Sequence, residues 1–195
     1  MSHYTLVVGP MFSEKSPTLR LFIQRALRAR LRVSVYLSIL DTRSGGSIRT
    51  HSGLTLDAEG PFSVIPKVID RSVEIEEDLA LASEPPHLVV IEEAQFFDGE
   101  LPKVIERLRI RYLGIRLVIG GLNLTSEGEP FGPMPELLSR AEKVINTTAI
   151  CACGEEATRT YYRLGAKSES VAVGGATEYE PRCFACWARG TGAAP

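Results

Sequence analysis

The segment that most constrains the fold of this chain runs Gly9-Pro10-Met11-Phe12-Ser13-Glu14-Lys15-Ser16. It follows an apolar run at residues 5–8, typical of a buried strand, and precedes a helical apolar pattern at residues 19–27. A glycine-led loop ending in lysine and serine, between a strand and a helix, is the context of a P-loop, whose backbone N–H groups bind phosphate. Lys15 would then neutralise the terminal phosphates, and the Ser16 hydroxyl would bind Mg²⁺. The alternative is a plain strand-to-helix turn with an exposed lysine, because Glu14 stands where such loops carry their second glycine.

The rest of the chain alternates strand and helix patterns. Further strands are predicted at residues 33–37, 88–91, 117–119 and 144–149, helices at 75–82, 101–113 and 135–142, and a Gly/Ser/Thr-rich loop at 43–54. The apolar run at 88–91 is typical of a strand buried on both faces. This order predicts an α/β protein with a P-loop (RecA-like) parallel sheet flanked by helices.

Size and composition are those of an ordinary globular protein. The chain has 195 residues, of which 44% are hydrophobic and 24% charged, enough for one domain with a small appendage. A formal net charge of −2 favours neither nucleic acid nor a membrane surface as a partner. The apolar run at residues 5–8 is far too short for a signal sequence, and no stretch approaches the roughly 18 apolar residues of a membrane span. We therefore expect a cytoplasmic protein.

Two adjacent carboxylates, Glu92 and Glu93, follow the buried strand at 88–91. Open α/β sheets bind ligands at the carboxyl ends of their strands. In a P-loop enzyme one such carboxylate holds Mg²⁺, and a second can accept the proton of an attacking hydroxyl. Acidic residues also decorate ordinary helix N-termini, which is the alternative interpretation. The P-loop upstream favours the catalytic one.

All four cysteines lie beyond residue 150, in the pairs Cys151/Cys153 and Cys183/Cys186. In a reducing compartment such pairing favours a metal over disulfides. Four thiolates close a tetrahedral structural zinc site with no open position for catalysis, whereas the alternative is four free thiols. Because helical periodicity fades near residue 149, we predict a nucleotide-binding core at 1–149, a zinc-binding domain at 150–190 and a flexible tail at 191–195.

Several segments together resemble the type II thymidine kinases, the human-type and bacterial family. In sequence order they read GPMFSEKS, LDTR with THSG, VVIEEAQFF, GGLNLTSEGEPFG and VGGATEYEPRCFAC, and they span nearly the whole chain. The resemblance implies a P-loop core and a zinc-anchored lasso that closes over the nucleoside. It also implies transfer of the ATP γ-phosphate to the 5′-hydroxyl of thymidine with Mg²⁺, giving dTMP for nucleotide salvage, in a homotetramer.

The resemblance further implies roles for individual residues. Glu93 would be the base that accepts the 5′-hydroxyl proton. The ATP-binding residues would be Gly9, Pro10, Met11, Phe12, Ser13, Glu14, Lys15, Ser16, Glu92 and Gln95. The substrate-binding residues would be Phe96, Leu122, Thr125, Ser126, Phe131, Arg163, Val171, Val173, Gly174, Gly175 and Tyr179. For Leu122 and Phe131, packing in the core is the alternative.

The sequence also departs from the family pattern. Glu14 replaces a glycine that lets the backbone approach phosphate, and Pro17 removes a possible N–H donor. Glu92 and Asn123 replace aspartates, and Ser126 replaces a phenylalanine that packs on the base. Two hypotheses follow: a deoxynucleoside kinase of reduced activity or relaxed base choice, which we favour, and a degenerate paralogue that binds nucleotide or nucleoside without efficient turnover.

Overall fold

The computed structural model of the chain describes residues 3–40, 64–164 and 177–192. Its strands are β1 (His3–Val8), β2 (Val33–Ser38), β3 (Lys67–Ile69), β4 (Leu88–Glu92), β5 (Arg116–Gly121), β6 (Lys143–Asn146), β7 (Ala149–Ile150), β8 (Glu156–Ala157), β9 (Arg159–Tyr162) and β10 (Tyr179–Arg182). Its helices are α1 (Lys15–Arg28), α2 (Val73–Leu81), α3 (Leu101–Arg111), α4 (Met134–Arg140) and α5 (Phe184–Thr191). None of these helices is long and apolar enough to cross a membrane.

Six of the described strands form one parallel sheet, in the order β3-β2-β4-β5-β1-β6. Helices cover both faces of this sheet, so the predicted α/β fold with a parallel sheet is confirmed. The loop at residues 9–16 follows β1, which lies between β5 and β6, and Glu92 ends β4. Both predicted phosphate-site segments therefore lie at the carboxyl edge of the sheet.

Alternate residues of the strands pack on opposite faces. On one face Val7 and Val90 meet Leu19 and Ile23 of α1. On the other face the buried cluster includes residues of α2, α3 and α4: Ile75, Leu79, Val104, Ile105, Leu108, Met134 and Leu137. Burial on both faces explains why the central strands read as continuous apolar runs.

The predicted single strand at residues 144–149 is wrong, because the chain leaves the sheet after Asn146. The Thr147 N–H donates to the Val8 carbonyl at 2.8 Å, and the Thr147 Oγ1 lies 2.8 Å from the Ser13 Oγ. Thr147 is thereby held against the loop after β1, and β7 pairs instead with β8. The other predicted elements differ only at their ends, apart from the loop at 43–54, which lies outside the described residues.

In the residues that the structure describes, the segment after β6 contains two short antiparallel strand pairs and one helix. β7 pairs with β8, β9 pairs with β10, and α5 follows β10. Its buried apolar cluster is small, with Ala149, Cys151 and Ala157 at its centre and Cys183 and Cys186 packed against it. The domain boundary at residues 149/150 stays a prediction.

Candidate active site

The loop at residues 9–16 folds tightly between β1 and α1. Phe12 and Glu14 both adopt positive φ angles, 65° and 66°. At Gly9 an added Cβ would lie 2.3 Å from the Thr147 carbonyl oxygen, so only glycine fits there. α1 begins at Lys15, which brings the N–H groups of its first turn to the end of the loop, as phosphate binding requires.

Glu14 occupies a backbone conformation that favours glycine. With φ 66° and ψ 24° it lies in the left-handed region, which costs a residue with a Cβ about 1 kcal/mol or more. Its side chain is exposed, so the carboxylate is not buried within the loop. Pro17 is the third residue of α1, in the first turn, where proline is tolerated. The substitution at Glu14 therefore strains the loop without filling it.

The lysine, the hydroxyl and the carboxylate expected of a P-loop site all make contacts at this loop. Lys15 Nζ donates to the Pro10 carbonyl at 2.6 Å, which folds the lysine back across the loop. The Ser16 Oγ donates to Glu92 Oε1 at 2.5 Å, and Glu92 is only 3% exposed. A hydroxyl beside a carboxylate is an oxygen donor set of the kind Mg²⁺ prefers, so these two residues fit the predicted metal.

Glu93 lies directly after the last residue of β4, where the backbone changes direction. It has φ 51°, which turns the chain directly after β4, and its side chain is half-buried. Gln95 Nε2 donates to Glu93 Oε2 at 2.6 Å, while Gln95 Oε1 accepts the Leu122 N–H at 2.9 Å. The buried Gln95 side chain thus joins Glu93 to the first residue after β5.

The chain between β5 and α4 forms a hairpin-like loop at residues 122–131. The Phe131 N–H donates to the Asn123 carbonyl, and the Thr125 N–H donates to the Glu129 carbonyl. The Phe131 ring packs edge-on against Phe96, with 5.7 Å between centroids. Leu122 is only 7% exposed. Phe96, Leu122 and Phe131 are therefore close to Gln95 and Glu93, at one edge of the sheet.

The four cysteines come together, although their pairs are far apart in the sequence. Their Sγ atoms all lie within 4.8 Å of one another, and Cys153 and Cys183 are 3.7 Å apart. A tetrahedral zinc site with Zn–S of about 2.3 Å requires sulfur–sulfur distances of about 3.8 Å. The four thiols thus form a group that could hold a zinc ion.

One thiol of this group is favoured in the form that binds metal. Backbone N–H groups of Cys153 and Cys183 lower the pKa of Cys151 to about 6. The Glu155 amide lowers the pKa of Cys153, but the neighbouring Cys151 and Cys186 side chains raise it more, to about 12. Because metals bind thiolates, the lowered pKa of Cys151 favours its metal-binding form, whereas Cys153 has to lose its proton when a metal binds.

The cysteine-bearing segment contacts the core at both loops. Thr160 Oγ1 on β9 accepts the Met11 N–H at 3.0 Å. Trp187 Nε1 on α5 donates to the Ser126 carbonyl at 2.8 Å. Sequence reasoning missed both contacts, and it missed Thr147 as well. Isolated threonines and a tryptophan outside a motif give no signal of such pairing.

The remaining predicted substrate residues belong either to the C-terminal segment or to the 122–131 loop. Arg163 donates to Glu180 at 3.0 Å, and the Tyr179 ring lies 5.2 Å from Tyr162, so these side chains bind neighbours on the β9/β10 pair. Thr125 and Ser126 lie on the 122–131 loop, with Ser126 buried at 7% exposure. Val171, Val173, Gly174 and Gly175 lie outside the described residues.

Taken with the fold, this chemistry places the chain among the P-loop phosphotransferases, which position a nucleotide phosphate against an acceptor hydroxyl. A family model described as thymidine kinase matches residues 2–187. The thymidine kinase of Deinococcus radiodurans is 40% identical over 187 residues, covering 91% of this chain and 86% of its own length. That of Bacteroides thetaiotaomicron is 36% identical over 188 residues, covering 96% and 87%. The chain belongs to the thymidine kinase family, and its enzymatic class is that of an ATP-dependent kinase.

Proposed function

We propose that this chain transfers the γ-phosphate of ATP to the 5′-hydroxyl of thymidine, giving dTMP in nucleotide salvage. The observation that carries the proposal is the pair of carboxylates at the end of β4. Glu92 is hydrogen-bonded to Ser16 of the phosphate loop, and Glu93 is hydrogen-bonded to Gln95. Two acids with separate partners can take separate roles, one at a metal and one at the acceptor hydroxyl.

On the ATP side, residues 9–16 surround the phosphates with backbone N–H groups, and Lys15 supplies the positive charge. Ser16 and Glu92 would hold Mg²⁺, and the bound ion would neutralise the negative charge on the phosphate oxygens. Gln95 keeps the Glu93 carboxylate oriented through its hydrogen bond. Closure of Lys15 onto the phosphates would release its present bond to the Pro10 carbonyl.

On the nucleoside side, Glu93 accepts the proton of the 5′-hydroxyl as the oxygen attacks the γ-phosphorus, and the bond from the γ-phosphorus to the bridging oxygen breaks to release ADP. Phe96, Leu122 and Phe131 would wall the nucleoside pocket, because Leu122 is bonded to Gln95 and the two phenylalanine rings pack together nearby. The other residues assigned here, by resemblance, are Thr125, Ser126, Arg163, Val171, Val173, Gly174, Gly175 and Tyr179.

The four cysteines bind a structural zinc ion in this proposal, with no part in the chemical step, because four protein ligands leave no open position. We place the enzyme in the cytoplasm, where ATP is available and thiols stay reduced. The homotetramer implied by the resemblance is part of the proposal; β6 is an edge strand of the described sheet and its Val144 is 38% exposed. Light scattering on the purified protein checks the tetramer.

The decisive experiment is a kinase assay with ATP, Mg²⁺ and several nucleosides, comparing wild type with Glu93→Gln. Removal of a general base lowers turnover by about 100-fold or more, so the variant is expected to make little dTMP. Glu77→Gln, an exposed position on α2, is the matched control. Equal turnover by Glu93→Gln would show that Glu93 is not the base. Wild-type protein that binds thymidine and ATP without forming dTMP would favour the paralogue without turnover, which no family or relative match favours.

A further inference from the structure

A cavity of about 350 Å³ lies at the end of the sheet opposite the candidate active site. It is bounded by the second half of α1 and by the first residues of β1, β4 and β5. The loop at residues 9–16 leads into the other end of α1, a helix of 14 residues that is roughly 20 Å long. No described residue assigned above to ATP or to the nucleoside lines this cavity. We call it the amino-end cavity, and its volume is within the range of small-molecule sites.

The strand residues that line the amino-end cavity share one face of the sheet. Thr5 of β1 pairs with Val118 of β5, and His3 pairs with Arg116. Paired residues of neighbouring strands point to the same face, and Val118 packs in the buried cluster that contains α1. His3, Thr5 and Arg116 therefore line the cavity from the sheet, whereas Arg25 lines it from α1.

The charge on the amino-end cavity is positive. Arg25 and Arg116 contribute two guanidinium groups, and its described lining contains no Asp or Glu. Within the part of the chain that the structure describes, neither guanidinium forms an ion pair or a hydrogen bond. Arginines elsewhere do, since Arg107, Arg109 and Arg140 each pair with a glutamate. Guanidinium groups left without a carboxylate, on two separate elements, are suited to bind an anionic ligand.

The Thr5 side chain gives an independent indication of a ligand. Thr5 is only 7% exposed, and its hydroxyl has no hydrogen-bond partner among residues 3–40, 64–164 and 177–192. Burial of a hydroxyl without a partner lowers stability, so such groups are generally found hydrogen-bonded. An acceptor oxygen in the cavity would supply the partner that the described chain does not.

The carboxyl end of α1 borders the cavity as well, because Ala29 is part of the lining. Free carbonyl groups at the end of a helix repel an anion. Here the carbonyls of residues 25–27 accept hydrogen bonds from the N–H groups of residues 29–31. Three carbonyls at this end are thus already occupied, which weakens the repulsion.

We propose that the amino-end cavity is a second binding site, which takes a phosphate monoester with a compact aromatic body. Arg25 and Arg116 bind the phosphate oxygens, and the Thr5 hydroxyl donates to one of them. The body of the ligand packs against the apolar part of the lining. That part includes Phe22, Leu31, Leu88 and Val118.

A phosphate matches this set of donors better than a carboxylate does. A phosphate monoester carries about 1.5 to 2 negative charges at neutral pH and three free oxygens. A carboxylate carries one charge and two oxygens. Two guanidinium groups and a hydroxyl can therefore each bind a separate oxygen of the phosphate. Because the cavity and the loop at residues 9–16 are at opposite ends of α1, the ligand does not compete with ATP.

The probe that tests the proposal is 1-naphthyl phosphate, compared with 1-naphthol and 1-naphthoate. Calorimetric titration should show one site per chain for the phosphate ester, with a Kd at least about tenfold lower than for either analogue. Lys15→Ala, which removes the cation of the phosphate loop, should leave that Kd unchanged. Equal affinity for 1-naphthol, tighter binding of 1-naphthoate, no binding of the ester, or loss of binding in Lys15→Ala would overturn the proposal.

Arg25→Gln and Arg116→Gln should each raise the Kd for 1-naphthyl phosphate about tenfold, because each variant loses a charge-assisted hydrogen bond. Arg111→Gln is the matched control, an exposed arginine of α3 on the opposite face of the sheet, and should bind as wild type does. A wild-type Kd in both Arg25→Gln and Arg116→Gln, or an equal loss in the control, would remove the arginines from the site.

Thr5→Val keeps the shape of the side chain and removes the hydroxyl. We expect its Kd for 1-naphthyl phosphate to rise about threefold to tenfold. Without the probe, its thermal midpoint should equal or exceed that of wild type, because the hydroxyl has no partner to lose. A lower midpoint without the probe, or an unchanged Kd, would overturn the role of Thr5.

Discussion

The phosphate loop and the cysteine-bearing segment hold their functional atoms by opposite means. The loop at residues 9–16 presents backbone groups, held in place by a strand, a helix and two residues at positive φ. The described part of the segment after β6 presents four thiols, from the turn between β7 and β8 and from the beginning of α5, beside a small apolar cluster. The loop at residues 9–16 is therefore ordered by the large core beneath it, whereas the cysteine-bearing segment depends on the four thiols that a metal would join.

The difference predicts different responses to damage. A loop supported by a core should fail locally, through a clash or a change of strain, while the protein stays folded. A segment with almost no core should lose its order as a whole when the proposed zinc ion is removed. The following substitutions separate these two behaviours.

The largest effect is expected from loss of the metal. Cys186→Ser, or chelation of the wild-type protein, should release zinc and disorder the segment, because structural zinc contributes on the order of 10 kcal/mol to such small units. Trp187 is the only tryptophan of the chain and follows Cys186 directly, so its fluorescence reports the change. Cys186→His, which keeps a zinc ligand, is the control. Unchanged emission and turnover after complete zinc removal would contradict the comparison.

Gly9→Ala should cause the largest damage in the phosphate loop. The new Cβ would lie 2.3 Å from the Thr147 carbonyl oxygen, and the backbone must move to relieve the clash. We expect the protein to lose about 2–3 kcal/mol of stability and most of its ATP affinity, while zinc stays bound. Gly99→Ala, where an added Cβ meets nothing within 4 Å, is the matched control. Denaturant unfolding and ATP titration make the measurement; an effect no greater than that of the control would refute the clash.

Glu14→Gly should improve the same loop. Glycine relieves the left-handed backbone at φ 66°, so we expect a gain of about 1 kcal/mol in unfolding free energy and a lower KM for ATP. Glu14→Ala removes the charge and keeps the Cβ, which separates charge from backbone strain. If alanine performed as well as glycine, the charge rather than the conformation would be the cause.

Glu180→Gln should give the smallest change, confined to the cysteine-bearing segment. Burial raises the pKa of Glu180, but bonds from Arg182 and Arg163 lower it more, so the net pKa lies below its ordinary value. A lowered carboxylate pKa means that its stabilisation is present at neutral pH and is lost as the pH falls through that pKa. We expect the variant to lose roughly 1 kcal/mol at pH 7 and to converge with wild type in acid.

Unfolding followed by Trp187 fluorescence between pH 7 and acid measures the difference. The control is Glu156→Gln, an exposed glutamate on β8 of the same segment. A gap between Glu180→Gln and wild type that widened on acidification would reverse the expected sign.

The sequence predicted best the features that repeat or cluster. The buried strands and α1 were found because apolar periodicity extends over many residues, and the cysteine group because four thiols have few other uses. The end of β6 could not be predicted from the sequence, because the chain leaves the sheet at Thr147, which is held by hydrogen bonds to Val8 and Ser13. Tertiary contacts of this kind determine where a strand ends, and the identity of a single residue does not predict them.

The contacts between the cysteine-bearing segment and the core were equally invisible. Met11 and Thr160 are separated by 149 positions, and their bond joins a backbone amide to a common side chain. The sequence also showed that Glu14 replaces a glycine, but not that its side chain is exposed. The direction of a side chain and the distance between two residues depend on the folded backbone, which composition and motif spacing do not determine.

Gln95 has one further consequence, for how this enzyme can diverge. Its amide fixes Glu93 and the Leu122 N–H together, at the base of the 122–131 loop. The tip of that loop, which carries Ser126, lies beyond this contact. In the proposed mechanism, substitutions at the tip can therefore alter which base is accepted while Glu93 stays in place beside the sugar hydroxyl. In such an arrangement base recognition and proton transfer depend on different residues. A new nucleoside preference can therefore evolve without a change in the proposed catalytic residue.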